Sequence, residues 1–160
     1  MEFLRAGDVD GLNGLLSREP RAIRHLIGRL WDNDEEMRDL AAKGLGAAAA
    51  AHPEQARDLV RRLMWALNDE SAMNGVYGLA ALGEIGAQAP ELMAQFVAPM
   101  ASYLWDEGLR TEILHALLRM AQTNSALVET VQPILESSYQ DFGSFDRRLA
   151  EKLLRGLDEN

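Results

Sequence analysis

The sequence predicts an all-α fold, an α-solenoid of about four and a half helical hairpins, from three observations. The first is a repeat. Leu30, Leu67 and Leu104 each precede a short acidic turn, LWDND, LNDES and LWDEG, at a spacing of 37 residues (30 to 67, 67 to 104). The same shift aligns Pro53 with Pro90, Glu54 with Glu91, Leu45 with Leu82, Gly46 with Gly83, Val60 with Val97 and Leu63 with Met100. The second is apolar spacing at the helical period, with no sustained period-two alternation. The third is punctuation by proline and aspartate where helices are expected to begin.

Proline suits a first helical turn, where its missing N–H would have had no partner, so Pro20, Pro53 and Pro90 mark the starts of second helices. Asp32, Asp69 and Asp106 stand where the next first helix begins, ready to accept hydrogen bonds from its free N–H groups. First helices are therefore expected at 9–18, 34–51, 70–88 and 107–122, and second helices at 20–30, 53–67, 90–104 and 126–139. The units run 9–30, 34–67, 70–104 and 107–139, and a closing helix at 145–157 follows a break at YQDFGS. The outer units depart from the pattern, as capping units do. All of 1–160 reads as one repeat domain.

The stretch GVYGLAALGEIGAQAP holds Gly75, Gly78, Gly83 and Gly86 inside a helical pattern. At 100° per residue, Gly75, Leu79, Leu82 and Gly86 form one stripe, and Met73, Tyr77, Ala80 and Ala81 form another. Two stripes imply burial on two sides, with small residues letting backbones approach. Each interior glycine costs about 1 kcal/mol relative to alanine, so packing must exceed that; Gly86 alternatively fits the cap beyond the helix end. A phosphate loop is excluded: Gly78 and Gly83 have its spacing, but Glu84 stands where its lysine must be and no strand precedes.

Composition bounds the function. A chain of 160 residues, 48% hydrophobic and 26% charged, is long enough for one domain with a real core. With no cysteine there is no disulfide framework or thiolate site, which suits a cytoplasmic location. The opening MEFLRAGDVDGL, with three acids and one arginine, is unlike a secretory signal, and no apolar run approaches a membrane span. A net charge of −9 and a pI near 4.8 argue against nucleic acid or an anionic membrane as a partner. His25, His52 and His115 lack metal-ligand spacing, and Asp32, Asp34, Glu35, Glu36 and Asp39 lack the glycine and spacing of a calcium loop. These acids favour a first helical turn instead. The histidines are expected to be solvated, with a helix interface as the alternative for His115. Neither cofactor nor catalytic constellation is found.

The segment NGVYGLAALGEIGAQAPE, with its A-x-x-A-L-G-x-I-G character, resembles the HEAT-like repeats of phycobiliprotein-lyase subunits, and RDLAAKGLGAAAAAHPE is a degenerate second copy. It is also similar to an uncharacterised group of small bacterial HEAT-like proteins. The resemblance covers about residues 20–139 and implies a right-handed α-solenoid whose second helices line the concave side. It implies a non-enzymatic protein-interaction scaffold or adaptor; the alternative is an accessory, lyase-like enzyme subunit handling a tetrapyrrole or a modified protein. HEAT-like di-iron hydroxylases carry His-Glu pairs, whereas here Leu26, Pro53 and Ala116 follow the histidines. HEAT-like DNA glycosylases use a basic face, at odds with the acidic pI despite Trp31, Asp32 and Trp65.

Opposite the expected core stripes, the second helices offer first Arg21, Arg24 and His25, then Arg61, Arg62 and Trp65. Next come Gln95, Ala98 and Ser102, then Glu129, Gln132 and Glu136, so the face runs from basic through neutral to acidic. Residues 1–80 hold 10 basic against 13 acidic residues, and residues 81–160 hold 6 against 12. The candidate partner-binding residues are Arg21, Arg24, His25, Arg61, Arg62 and Trp65. Forked guanidinium donors and an aromatic anchor there suit another protein's acidic or phosphate-bearing segment. Trp65, far from its helix's apolar stripe, should be more exposed than Trp31 or Trp105.

Overall fold

A computed structural model describes residues 2–19, 21–68 and 73–158. Among these residues all regular structure is helical: α1 (Glu2–Arg5), α2 (Val9–Arg18), α3 (Ala22–Arg29), α4 (Glu35–Ala51), α5 (Pro53–Ala66), α6 (Met73–Gln88), α7 (Pro90–Met93), α8 (Val97–Ala101), α9 (Glu107–Ala121), α10 (Gln132–Ser138) and α11 (Ser144–Asp158). Tighter 3₁₀ turns occupy Ser102–Trp105, Ser125–Leu127, Glu129–Val131 and Tyr139–Asp141. The expected first helices and closing helix are all present. The expectations placed on Pro20, on Asp69 and on a helix start at 70 lie outside the described residues.

Two second helices are not continuous. The 90–104 segment divides into α7, a turn at 94–96, α8 and a 3₁₀ turn. Pro99 is the cause, since a helix running through it would press its ring on the Gln95 carbonyl; starting at Val97 puts Pro99 in the first turn. The 126–139 segment likewise becomes two 3₁₀ turns before α10, which has Pro133 in its opening turn. Both segments still bury most of their apolar side chains, Met93, Val97, Met100 and Leu104, then Val131 and Leu135, with Phe96, Leu127 and Ile134 half-buried.

The longest helices pack in sequence, α4 on α6, α6 on α9 and α9 on α11, while α3 lies on α4 and α5 on α6. Glycine sets the closest approaches. A Cβ built on Gly83 would sit 3.0 Å from the Ala116 Cα, and one on Gly46 would sit 2.8 Å from the Glu84 carbonyl oxygen. Contacts advance together along α6 and α9, Gly75 facing Leu109, Gly83 facing Ala116 and Gly86 facing Met120, so the two helices run parallel. Gly86 is a packing residue inside α6 rather than a cap past its end, because α6 continues to Gln88. Of the second stripe, Ala81 is buried and Tyr77 half-buried, but Ala80 faces solvent.

Asp106 caps α9 as expected, accepting from the Gly108 N–H at 2.8 Å. Asp32 does not cap α4; Asp34 does, accepting from the Glu36 N–H at 3.0 Å. The cap follows Leu30 by four residues but Leu104 by two, so the first turn is two residues longer. Asp32 organises that longer turn, accepting from the Asp34 N–H at 3.1 Å and the Arg29 guanidinium at 2.8 Å. The Asp34 N–H foremost, and then Arg29, hold its carboxyl below the ordinary value of 3.8. An arginine four residues after each cap closes the turn from above. Arg38 donates to the Asp32 carbonyl at 2.8 Å and lies over the Tyr77 ring; Arg110 donates to the Leu104 carbonyl at 2.7 Å and lies over Phe142.

Gly83→Ala is expected to destabilise by about 1–3 kcal/mol, because the overpacking against Ala116 exceeds the better helix propensity. Gly14→Ala, in α2 with no atom within 4 Å of an added Cβ, should stabilise by about 0.5–1 kcal/mol; urea unfolding of both variants checks the opposite signs. Because the Asp32 pKa is lowered on folding, its contribution is present above 3.8 and disappears as pH falls through the folded value. The Tm deficit of Asp32→Asn at neutral pH should therefore shrink on acidification below that point, read by calorimetry from pH 7 to pH 2.

Candidate functional site

Arg24 of α3 and Arg62 of α5 line one groove of about 450 Å³ together with Ile27 and Gly28. The groove exists because α3 and α5 each pack mainly on a first helix rather than on one another, and because Gly28 has open space where a side chain would stand. The buried stripes of the two helices, Leu26 and Leu30 on one and Ala56, Leu59, Val60 and Leu63 on the other, turn the arginines outward. Among the described residues neither the Arg24 nor the Arg62 guanidinium has an ion-pair or hydrogen-bond partner, so their side-chain donors face solvent.

The other candidate residues are distributed around this groove. Arg21, immediately before α3, and His25 on α3 are exposed. Arg61 does not join Arg62. Adjacent helical residues diverge by 100°, and Arg61 turns toward Glu91, Gln95 and Phe96, where it pairs with Asp58 at 3.2 Å. Trp65, on the last turn of α5, is 79% exposed, the most of the three tryptophans as expected. Trp105 follows at 71%, against 38% for Trp31: its 3₁₀ turn buries Leu104 and leaves the indole outside. Gln95, Ser102, Glu129 and Glu136 are exposed as well.

The first helices carry a second depression that the sequence reading passed over. Glu84 and Arg110 are the buried charged residues among those described. Arg119 of α9 grips the Glu84 carboxylate with two donors, Nε to Oε1 at 2.9 Å and Nη2 to Oε2 at 3.1 Å, and Gln88 donates to Oε2 at 3.3 Å. The hydrogen bond to Glu84 raises the Arg119 pKa above its already high ordinary value. The signal was present: Glu84 is the single charged residue in α6, and a charge amid small apolar residues needs a partner. His115 is exposed, not held in a helix interface. It stands 3.7 Å from Glu112, with the Phe145 ring edge-on at 6.3 Å.

Among the described residues no group of three or more His, Asp and Glu side chains is disposed to hold a metal ion, and no helix is long and apolar enough to cross a membrane. Comparison with protein-family models, with curated proteins and with solved structures finds no match. In single-tryptophan variants, acrylamide should quench Trp65 and Trp105 strongly and Trp31 more weakly; equal quenching of all three would contradict the described turns.

Proposed function

We propose that the protein is a non-enzymatic, cytoplasmic interaction scaffold or adaptor built as a right-handed solenoid of about four and a half HEAT-like hairpins, capturing an acidic or phosphate-bearing segment of another protein. The observation that carries this reading is the convergence of Arg24 and Arg62, from successive second helices, on one groove without an internal counter-ion among the described residues. Guanidinium groups offer several donors in a fixed fork, which suits carboxylates and phosphates better than isolated ammonium groups do. Exposed Trp65 supplies an apolar anchor on the same helix, and aromatic anchors dominate interface energetics. The 37-residue period and the parallel course of α6 and α9 support the repeat architecture.

The expected interaction is salt-sensitive, because exposed charges are screened over about 8 Å at physiological ionic strength. Arg24→Glu with Arg62→Glu should reduce binding of a phosphoserine- or glutamate-rich peptide at least about tenfold, an effect of about 1.4 kcal/mol or more, with Tm unchanged. Arg61→Glu, which removes a side chain already paired with Asp58, should do much less. Fluorescence anisotropy in low and physiological salt makes the comparison; undiminished binding in the double variant would refute the groove.

A further inference from the structure

The depression on the first helices consists of two lobes of about 270 Å³ each, joined through Asp39 of α4, Ala80 of α6 and Glu112 of α9. Ala80 and Gly83 keep the floor low, and the side chains of α4 and α9 form the walls. Charge is ordered along this trough. Glu35 and Asp39 lead to Lys43 along α4, and Glu112 leads to Arg119 along α9. Arg38 in one lobe is committed to the Asp32 carbonyl and the Tyr77 ring, and Glu84 in the other is committed to Arg119. This leaves carboxylates at one end and the middle, and Lys43 with the remaining Arg119 donors at the other end. At about 1.5 Å rise per residue, Lys43 lies about 6 Å beyond Asp39 and about 12 Å beyond Glu35.

The cationic end is preorganised. Glu84 and Gln88 fix the Arg119 guanidinium, yet two donors to Glu84 leave the Nη1 hydrogens and one on Nη2 uncommitted, and the side chain is 35% exposed. Lys43 reaches the same lobe from the opposite wall and, like Asp39 at the waist, has no ion-pair partner among the described residues. We propose that the trough is a second binding site, separate from the Arg24 and Arg62 groove, for a peptide segment of a partner protein bearing a basic side chain and a carboxylate about 6–12 Å apart. The basic group sits between Asp39 and Glu112, and the carboxylate sits on Arg119 and Lys43. Continuity of the two lobes matches an extended chain rather than a compact metabolite, and the small floor residues let its backbone lie close.

The test uses the whole chain and a fluorescein-labelled peptide, acetyl-Lys-Gly-Glu-amide, whose two charged residues share one side about 7 Å apart when extended. Controls replace its Lys or its Glu by Gln. The mixed-charge peptide should bind at least about tenfold more tightly than either control. Lys43→Glu and Asp39→Lys, both at exposed positions that leave the fold intact, should each remove that advantage. Arg24→Glu with Arg62→Glu should not change it, which separates this site from the basic groove. Equal binding of the singly charged peptides, no detectable binding of the mixed one, or full affinity in Lys43→Glu would overturn the proposal.

Discussion

The structure depends on how closely α6 approaches α4 and α9. Helices meet this tightly only where side chains are nearly absent, and Gly46, Gly83 and Ala116 supply that condition. Each interior glycine weakens its own helix, so the packing of backbone on backbone must offset the loss. Three consequences follow in the same place. The exposed floor over α6 is low, the walls on either side carry long charged side chains, and the one charge within α6 must find its counter-ion on a neighbouring helix. The trough and the Glu84–Arg119 pair therefore arise from the packing that builds the core.

The two grooves differ for a reason internal to the helix packing. First helices touch one another along much of their length, whereas α3 and α5 each lean on a first helix. Second helices are thus free to diverge, and the opening between them is lined by outward-facing arginines. One groove presents Arg24 and Arg62 without an internal counter-ion among the described residues; the other presents both signs. The net charge of −9 describes neither face, because the acids concentrate at turns and on first helices while unpaired guanidinium groups stand on second helices.

Much of this was legible in the residues. Leu30 and Leu104, at the 37-residue spacing, shortly precede the helices that start at Glu35 and Glu107, and Leu30, Leu67 and Leu104 are all buried. What was not legible involved residues acting outside their own repeat position. Pro99 and Pro133 break two second helices that periodicity alone made continuous. The leucine period concealed a turn two residues longer before α4, which moved the cap from Asp32 to Asp34. Arg61 and Arg62, neighbours in sequence, face different grooves. The Glu84 pairing spans 35 residues, and its partner can be chosen only once the parallel alignment of α6 and α9 is known.

Arg110 has a consequence for how the carboxy-terminal end holds together. Its guanidinium donates to the Leu104 and Trp105 carbonyls, lies over buried Phe142 and reaches within 4.0 Å of Asp146 in α11. Detaching α11 would thus strip cover from a buried cation as well as from Ala150 and Leu153. Terminal helices ordinarily peel away first, at little cost. Here the charge makes the last helix share the fate of its neighbour, so amide hydrogens in α11 and α9 would exchange as one cooperative unit.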